Sequence, residues 1–436
     1  MPHVQPALVV RKISRRIIPF LFLLYIVSYI DRTNVSFAAL QMNQDIGLTP
    51  AMFGIGAGLF FIAMCPFEVP SNLMMVRFGA RLWLTRIMLV WGVVTLCTAM
   101  ITGPKSFYVM RLLLGISEAG FFPGVLYYLS FWFPAEYRTR IIARFMISLP
   151  VAAAVGAPIS SFILQAFNGV AGLPGWRWLF LVEGAPAVLL GFVAYRLLID
   201  RPAQARWLAT DERDWLTGTL DAEAKQSTHK EGVRAALVTM LDWRTLLVTF
   251  TGVCFVIGFY GTGFWLPQII KTFHVPTLEI GLLTALPNAL GVIAMLGWGQ
   301  LSRGRSTPLR YVVLPLLLAG VALLMAAHLL QTPVPAMVAF CVAMIGLYAC
   351  MPAYWALPSF FFGGASAAVA LAFINAVSNL GGFFGPALMG WLTGSTHSFA
   401  TATAMLGGFV IVGALALLAL APAFRHQPAP VALHSS

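Results

Sequence analysis

Charge is scarce in this chain. Only 10% of its 436 residues are Asp, Glu, Lys or Arg, whereas 59% are hydrophobic. A typical soluble domain carries about 25% charged residues. A chain with so little charge cannot cover a soluble body of its size with polar surface. The composition therefore excludes an ordinary soluble enzyme and indicates a polytopic membrane protein.

Cysteine is also scarce, and it is not arranged for metal binding. Zinc sites and redox motifs need Cys or His residues at short, recurring spacings. The five cysteines lie in apolar stretches and form no Cys-x-x-Cys pair, so we expect small packing groups and no metal. No nucleophile–base arrangement is evident either, and we expect neither a cofactor nor catalysis. The cysteines are Cys65, Cys97, Cys254, Cys341 and Cys350.

Long polar segments are nearly absent. A helix needs about 20 apolar residues to cross a bilayer. The sequence contains twelve such runs, and the basic residues 1–16 precede a run too long for a signal peptide, so we interpret that run as the first span. The predicted spans are 17–40, 50–75, 82–102, 106–133, 140–166, 176–198, 244–270, 278–302, 309–330, 336–358, 366–394 and 398–421.

One polar segment divides these spans into two sets of six. It covers residues 199–243 and contains DERDWLTGTLDAEAKQSTHKEG, which is typical of a short amphipathic helix and a flexible link. We therefore predict an all-α membrane protein with twelve transmembrane helices in two pseudo-symmetric six-helix lobes. The N-terminal lobe is residues 1–198, the cytoplasmic linker 199–243, and the C-terminal lobe with a short cytoplasmic tail 244–436.

The distribution of Lys and Arg predicts the orientation of the spans. If the N-terminus is cytoplasmic, segments on that side carry 22 of the 27 Lys and Arg residues, and the opposite side carries only Lys105, Arg177 and Lys271. Membrane proteins keep positive residues on the cytoplasmic side. We therefore expect a multi-pass protein of the bacterial inner membrane with both termini in the cytoplasm. The same asymmetry accounts for the net charge of +12 without nucleic acid.

Two spans contain charged pairs. Asp31 and Arg32 lie in YIVSYIDRTNVSFAAL of span one, and Arg111 and Glu118 lie in RLLLGISEAGFFPG of span four. The spacing of Arg111 and Glu118 is two helical turns, which places them on one face about 10 Å apart along the axis. Ionised groups inside a membrane cost at least a few kcal/mol each. We therefore expect all four side chains to face a shared polar interior.

These four residues allow two interpretations. They could be structural ion pairs that join spans one and four. Alternatively, an Arg fork holds a substrate carboxylate, and an acid in a partly dry cavity carries a proton near neutral pH. Protonation of the acid would free the Arg for a substrate anion, and loss of the proton would restore the pair and expel the anion. The second interpretation predicts proton-coupled uptake of an organic acid.

Further residues in the spans are candidates for structure or binding. We expect Glu183 and Glu68 to be structural, with Glu68 paired to an arginine such as Arg77, Arg138 or Arg144. The C-terminal half has no buried charge pair, so its share of a site would be hydrogen bonds and aromatic walls. Aromatic residues also serve as packing, and Asn pairs also join helices. The polar and aromatic candidates are Tyr29, Ser148, Tyr260, Tyr354, Trp355, Asn375 and Asn379.

The order of motifs resembles a known family. The chain contains SYIDRTNVSFAAL, FEVPSNLMMVRFGAR, RLLLGISEAGFFPG, FPAEYRTR, GWRWLFLVEGAPA, FWLPQIIK, WALPSFF and NLGGFFGP, in that order. Together these motifs resemble the anion:cation symporter family of the major facilitator superfamily, in particular the bacterial tartrate/phthalate/hydroxyphenylacetate-type permeases. The resemblance extends over nearly the whole chain. It implies the major facilitator fold and proton-coupled import of an organic anion by alternating access.

The resemblance also implies roles for individual residues. The acids of spans one and four, here Asp31 and Glu118, are the proton-coupling pair of the family. The arginines of the same motifs, Arg32 and Arg111, take part in charge pairing and in binding the substrate carboxylate. The pocket positions of spans seven, ten and eleven match Tyr260, Tyr354, Trp355 and Asn379.

The chain departs from the family pattern at three places. Met64 replaces a Tyr that is common in span two, which implies more apolar ligand contacts and makes Met64 a binding candidate. Asn288 stands where an aromatic residue is usual in span eight. The turn VRFGARLW (76–83), whose counterpart is LSRGRSTPLR (301–310), has Val76 in place of the superfamily's Asp. We expect another acid, such as Glu68 or Glu136, to substitute.

The sequence therefore predicts a secondary active transporter that imports a small organic carboxylate with protons. We expect a monomer in the lipid bilayer. The alternative within transport is a proton-independent facilitator or exchanger of organic anions. A membrane-embedded enzyme, or a sensor that has lost transport, belongs to a different class and would not accumulate a labelled acid. A drug/proton antiporter is disfavoured, because two arginines in the cavity would repel a cationic drug.

Overall fold

The computed structural model of the chain describes residues 4–226, 233–302 and 308–422. Regular structure in these ranges is helical. Twelve helices, four of them interrupted, are long and apolar enough within the described ranges to cross a membrane. The prediction of an all-α membrane protein with twelve spans is confirmed. Residues 303–307 of the turn LSRGRSTPLR lie outside the described residues.

The first of two compact units contains residues 4–226 together with Val275–Ala285. Helices α4 and α5 form one interrupted span, Pro104–Ser130, and α6 and α7 form another, Ala135–Ala166. The helices of this unit are α1 (Pro6–Asp45), α2 (Pro50–Phe78), α3 (Ala80–Thr98), α4 (Pro104–Glu118), α5 (Phe121–Ser130), α6 (Ala135–Met146), α7 (Ser148–Ala166), α8 (Gly175–Leu197) and α9 (Thr210–Gln226).

The second unit contains residues 233–274 and 286–422. Its interrupted spans are Pro333–Phe361 and Ser366–Thr396. Its helices are α10 (Val233–Leu241), α11 (Trp243–Lys271), most of α12 (Thr277–Ser302), α13 (Pro308–His328), α14 (Pro333–Ala356), α15 (Pro358–Phe361), α16 (Gly364–Ser378), α17 (Gly381–Thr396) and α18 (Phe399–Leu417).

The interruption of span four has a clear local cause. Helix α4 ends at Glu118, Ala119 leaves the helical region with ψ at 129°, and Gly120 adopts a left-handed conformation with φ at +83°. Glycine takes this conformation without the steric cost that a Cβ brings. A Cβ on Gly120 would also lie 2.4 Å from the hydroxyl oxygen of Ser71 on α2. The sequence SEAGFF therefore places Glu118 at the carboxyl end of a helix inside the membrane region.

The predicted linker contains a helix, α9, as expected, whereas the link predicted to follow it, at residues 227–232, lies outside the described residues. Residues 199–226 belong to the first unit, and the ring of Trp207 stacks on that of Trp132 with centroids 5.8 Å apart. The carboxylate of Glu223 on α9 accepts a hydrogen bond of 2.8 Å from the backbone N–H of Ala135, at the first residue of α6. These contacts attach α9 to the first unit, and a second helix, α10, occupies the end of the predicted linker.

The acid that supports the turn VRFGARLW is Asp200. Its Oδ1 accepts a hydrogen bond of 2.8 Å from the backbone N–H of Arg81 in the first turn of α3. The expected substitute is therefore another acid, but among the described residues neither of the suggested examples, Glu68 and Glu136, forms an ion pair with this turn. The carboxylate comes instead from the segment that follows α8.

The expected pairing of Glu68 is likewise not formed. Arg138 pairs instead with Glu223 on α9, at 3.2 Å. The guanidinium carbon of Arg77 lies 5.5 Å from the ring centroid of Phe78. Within the described ranges Glu68 has no ion-pair partner. Its half-buried position on α2 leaves it outside the cytoplasmic arginine contacts that the sequence suggested.

Candidate functional site

The buried charges of the described ranges all lie in the first unit. The exposed fractions of these five side chains range from 1% to 8%, so each is shielded from solvent. A buried charge is stable only when it is paired or hydrogen-bonded, because desolvation is costly. Their partners therefore define the electrostatics of the site. The five residues are Asp31, Arg32, Arg111, Glu118 and Glu183.

Arg32 and Glu118 form a buried ion pair between α1 and α4. Nη2 of Arg32 donates to Oε1 of Glu118, and the Ser28 hydroxyl donates to the same oxygen at 2.9 Å. Glu118 is the last residue of α4, where the helix dipole is negative and disfavours a second negative charge. Arg32 therefore neutralises two negative centres at once. Removing the charge of Glu118, by protonation or substitution, would leave the guanidinium without its counter-ion.

Asp31 is held by neutral donors rather than by an arginine. Its carboxylate accepts hydrogen bonds from Trp91 Nε1 and Thr95 Oγ1, both on α3, and from Asn34 Nδ2 at 2.9 Å. An ionised carboxylate only accepts hydrogen bonds, so three donors match the ionised form. Although Asp31 and Arg32 are adjacent in sequence, they bind different helices.

Arg111 is bound to the backbone of α2. Its Nε and Nη2 donate to the carbonyl oxygens of Gly56 and Ala57 at 3.4 Å and 3.2 Å. Backbone carbonyls have two lone pairs, so they can accept from an arginine while remaining in a helix. In the part of the chain that the structure describes, Arg111 forms no ion pair. The shared face of Arg111 and Glu118 therefore does not make them partners.

Phe60 connects the two arginines. The guanidinium carbons of Arg32 and Arg111 lie 5.2 Å and 5.3 Å from the centroid of its ring. A cation near an aromatic face is stabilised by about 0.5–2 kcal/mol, more when water is excluded. Phe60 is completely buried on α2. It is a constituent of the charged cluster that the sequence reasoning missed.

The sequence analysis also did not identify three hydrogen-bond donors to the buried acids, which are Trp91 and Thr95 for Asp31 and Ser28 for Glu118. Trp91 and Thr95 are four residues apart, and residues at that spacing lie on one helix face. A buried Trp N–H requires an acceptor, which in a membrane span is a recognisable signal. Ser28 could have been recognised in the same way, because it lies four residues before Arg32 on α1.

The remaining predicted binding residues of the first unit, Tyr29, Met64 and Ser148, are also buried, but they are uncharged. Tyr29 and Met64 are buried on α1 and α2. The Ser148 hydroxyl donates to the backbone carbonyl of Phe145 at 2.5 Å, where span five is interrupted between α6 and α7. Ser148 therefore stabilises the interruption in this conformation, and a substrate would have to compete with that hydrogen bond.

The candidates of the second unit are aromatic and amide side chains. The hydroxyl of Tyr354 donates to the carbonyl of Val248 at 3.0 Å, and the ring of Trp355 packs edge-on against Tyr354 with centroids 5.2 Å apart. Tyr260 is half-buried and packs edge-on against Phe259 at 5.3 Å. The Tyr354 hydroxyl is thus occupied by the backbone, whereas Trp355 and Tyr260 remain partly accessible.

Two amides of the second unit lie at a helix interruption. Asn375 is near the end of α16, and Asn379 lies between α16 and α17, with both side chains partly exposed. A further amide, Asn288 on α12, is buried and accepts a hydrogen bond of 2.9 Å from the hydroxyl of Tyr348 on α14. Tyr348 was not among the predicted residues. This hydrogen bond accounts for a polar residue at position 288, where the family usually has an aromatic one.

Twelve apolar helices with a buried charged cluster define a class, the polytopic membrane transporters built from two helical units. The chain belongs to the major facilitator superfamily, since the sequence profile described as Major Facilitator Superfamily matches residues 21–386. Members of this superfamily are transporters and not enzymes.

Two relatives are similar over nearly the whole chain. One, named "Putative tartrate transporter", from Agrobacterium vitis, is 42% identical over 426 residues, which are 97% of this chain and 98% of the relative. Another, named "Quinolone resistance transporter", from Acinetobacter baumannii, is 40% identical over 413 residues, 93% of each chain. Both names describe transporters, but of different substrates.

The fold is also found in solved structures. The crystal structure of a D-xylose-proton symporter matches with a TM-score of 0.73 over 92% of this chain and 96% of that chain, at 17% sequence identity. At that identity the likeness shows the fold alone. The predicted major facilitator fold is confirmed.

Proposed function

We propose that this transporter imports a small organic carboxylate together with protons, by alternating access. The observation that carries the proposal is the buried ion pair between Arg32 and Glu118. A guanidinium that already binds a carboxylate has the geometry and charge to bind another. The substrate carboxylate and Glu118 would then compete for one cation.

A proton decides that competition. With Glu118 ionised, Arg32 is engaged and the substrate anion has no free cation to bind. When Glu118 takes up a proton, the counter-ion of Arg32 disappears, and burial makes an uncompensated guanidinium costly. A substrate carboxylate restores the balance. Release of the proton reforms the pair and displaces the anion, so proton and anion travel together.

The other charged residues have supporting roles in this proposal. Asp31 is the second proton-coupling acid, and its Oδ1, which accepts only from Asn34 among its three donors, keeps a lone pair that can take the proton. Arg111 supplies positive charge beside Phe60 while the α2 carbonyls hold it. Binding contacts beyond the charge would come from the less polar candidates. These are Tyr29, Met64, Ser148, Tyr260, Tyr354, Trp355, Asn375 and Asn379.

Tartrate is the first substrate to test, since a relative of high coverage carries its name. The purified protein would be reconstituted in liposomes, and uptake of radiolabelled tartrate measured with and without an inward proton gradient. Accumulation that depends on the gradient supports the proposal. Equal uptake of tartrate in both conditions contradicts proton coupling. A thermal-shift screen of carboxylates, cations and neutral sugars would identify other substrates, and binding of only cations or sugars would contradict the substrate class.

One observation favours a second candidate, a proton-independent facilitator or exchanger of organic anions. The three neutral donors around Asp31 satisfy an ionised carboxylate, and they would allow Asp31 to stay ionised throughout transport. Asp31→Asn would distinguish the candidates. In a symporter the variant loses gradient-driven accumulation but retains tartrate counterflow. A proton-independent facilitator or exchanger shows no gradient-driven accumulation even as the wild type, and its counterflow is the same in the variant.

The positive charges of the sequence support an inner-membrane location with cytoplasmic termini. A monomer remains the expected oligomeric state. Fluorescent-protein fusions report the orientation, because green fluorescent protein matures in the cytoplasm and not after export in the unfolded state. Fluorescence from a fusion at residue 436 is expected. Its loss, with activity of an exported phosphatase fused at the same position, would contradict the orientation.

A further inference from the structure

A second buried acid lies outside the ion pair described above. Glu183 on α8 is 6% exposed, and its Oε1 accepts a hydrogen bond of 2.7 Å from the hydroxyl of Ser160 on α7. Its Oε2 is buried and has no hydrogen-bond partner among the described residues. No arginine or lysine pairs with it in those ranges. An ionised carboxylate with one neutral donor and no counter-ion is costly to bury.

Asn34 lies between this acid and Asp31. Its Nδ2 donates to Asp31 at 2.9 Å, and its side chain also lies beside the Glu183 carboxyl. The other amide atom, Oδ1, is buried without a hydrogen-bond partner within the described ranges. Two buried atoms therefore lack partners, an acceptor oxygen on Asn34 and an oxygen on Glu183. A proton on Glu183 would convert its oxygen into a donor and provide what the Asn34 oxygen lacks.

The helices around Glu183 present few other charges. Helix α7 contains no charged residue, and at this level α3 presents the neutral residues Trp91 and Thr95. The packing here is close, since a Cβ on Gly184 would lie 3.0 Å from a side-chain carbon of Thr95. The nearest facing charge is Asp31 on α1. The remaining titratable or charged groups of these helices are Arg11, Lys12, Arg15, Arg16, Tyr25, Tyr29, Arg32 and Asp45 on α1, Arg81, Arg86 and Cys97 on α3, and Arg177, Tyr195 and Arg196 on α8.

We propose that Glu183 is a third proton-binding carboxyl, and that Asn34 couples its proton to Asp31. With the proton on Glu183, Asn34 accepts from Glu183 and donates to ionised Asp31. With the proton on Asp31, the amide turns over, accepting from Asp31 and donating to ionised Glu183. The O–H bond of one carboxyl breaks and that of the other forms, and water carries the proton between them. The pair holds one proton in either arrangement.

This inference extends the proposed proton coupling, but its test needs no substrate. The full chain would be produced with glutamate labelled with carbon-13 at the side-chain carboxyl and reconstituted in lipid. Infrared difference spectra against pH then report protonated carboxyls through the C=O stretch, and the label separates Glu from Asp. The wild type is expected to show a labelled protonated Glu at neutral pH, and Glu183→Gln is expected to lose it. Identical wild-type and Glu183→Gln spectra would overturn the proposal.

Two further variants distinguish the loss of the Glu183 band from a loss that misfolding of Glu183→Gln would cause. Glu183→Asp keeps an acid but removes the labelled residue, so the band should lose its isotope shift. Ser160→Ala removes the hydrogen bond to Oε1, so the same band should move to higher wavenumber. The matched control is Glu136→Gln, an exposed acid on α6, which should leave the band in place. A band that Ser160→Ala does not move belongs to another acid and overturns the assignment.

The role of Asn34 has its own readout. Asp31→Asn removes the acid that shares the proton, so the pH midpoint of the Glu183 band should change. In an Asn34→Leu background the same substitution should change that midpoint less, because the connecting amide is gone. Equal changes in both backgrounds would overturn the coupling through Asn34. Failure of tartrate uptake would leave all these spectra unaffected, so the two proposals fail separately.

Discussion

The guanidinium of Arg32 on α1 donates to the carboxylate of Glu118, the residue at which α4 ends. This contact joins two spans and stands at a helix terminus that disfavours negative charge. Loss of the charge on Glu118 would therefore weaken the contact between Arg32 and Glu118. A substitution that keeps the shape of Glu118 but removes its charge separates the electrostatic role of the pair from its packing role.

Glu118→Gln is expected to uncouple binding from protons. The amide is isosteric but cannot ionise, so Arg32 permanently loses the charge of the carboxylate that pairs with it. Hydrogen bonds to charged groups contribute about 1.5–3 kcal/mol, so tartrate affinity at neutral pH should rise by about tenfold or more. Gradient-driven accumulation should be lost. Thermal shift by tartrate at two pH values measures the first effect and proteoliposome uptake the second.

The control for this prediction is Glu136→Gln, which removes an exposed acid elsewhere in the first unit. It should retain both the pH dependence of binding and the accumulation of the wild type. If Glu118→Gln accumulates tartrate as the wild type does, Glu118 carries no transported proton.

Arg32→Leu is expected to destabilise the protein strongly. Removal of one partner of a buried ion pair leaves an unpaired charge and costs about 3–5 kcal/mol. The double variant Arg32→Leu/Glu118→Leu should recover much of this loss, because neither charge remains. Thermal unfolding of the wild type, Arg32→Leu, Glu118→Leu and the double variant in one detergent forms a double-mutant cycle. Additive effects of the two substitutions would show that the pair contributes no coupling energy.

The turn between α2 and α3 should depend on Asp200. Its carboxylate caps α3 by accepting from the backbone N–H of Arg81, and loss of a helix cap costs about 0.5–2 kcal/mol. Asp200→Ala should therefore unfold at a lower temperature, whereas Asp200→Asn, which keeps an acceptor oxygen, should lose less. Glu136→Ala tests the acid that the sequence suggested, and a larger effect there than in Asp200→Ala would contradict the structure.

Much of the fold could be predicted from apolar run length alone. Charged residues in the spans were recognisable because burial makes them expensive, and five such residues in the described ranges are indeed buried. Their partners could not be predicted in the same way. Successive helical residues point about 100° apart, so Asp31 and Arg32 contact different helices, and that divergence follows from helix geometry. The identity of the neighbouring helix depends on packing.

Contacts between residues that are far apart in the sequence could not be predicted from it. Asp200 and Arg81 are 119 residues apart, and no local pattern connects them. The sequence predicted span four as one continuous range, and the structure was needed to show that the helix is interrupted after Glu118, which places the acid at a helix end. Phe60 was indistinguishable in sequence from other packing aromatics until its two arginine neighbours were placed beside it.

The attachment of α9 should weaken in acid. Lys12 donates a hydrogen bond of 2.6 Å to Glu212, and this hydrogen bond, with the charge of Lys12, holds the pKa of Glu212 below its usual range. A lowered folded-state pKa stabilises the protein above the ordinary value and loses that contribution as pH falls through the folded value. The partners are partly exposed, so the effect should stay below about 1 kcal/mol. Thermal unfolding of Glu212→Gln and wild type should differ at neutral pH and converge well below pH 4.

Gly120→Ala should impair the protein through two separable effects. An alanine at φ +83° costs about 1–2 kcal/mol in a left-handed conformation, and its Cβ would also collide with Ser71, 2.4 Å away. Gly169→Ala is the matched control, because its φ is +84° but nothing lies within 4 Å of the added Cβ. Both variants should unfold at lower temperature than the wild type, and Gly120→Ala should fall further. Because the collision acts where α4 ends, next to Glu118, only Gly120→Ala should also alter the pH dependence of tartrate binding to Arg32. Equal losses in the two variants would show that contact between Gly120 and α2 is unimportant.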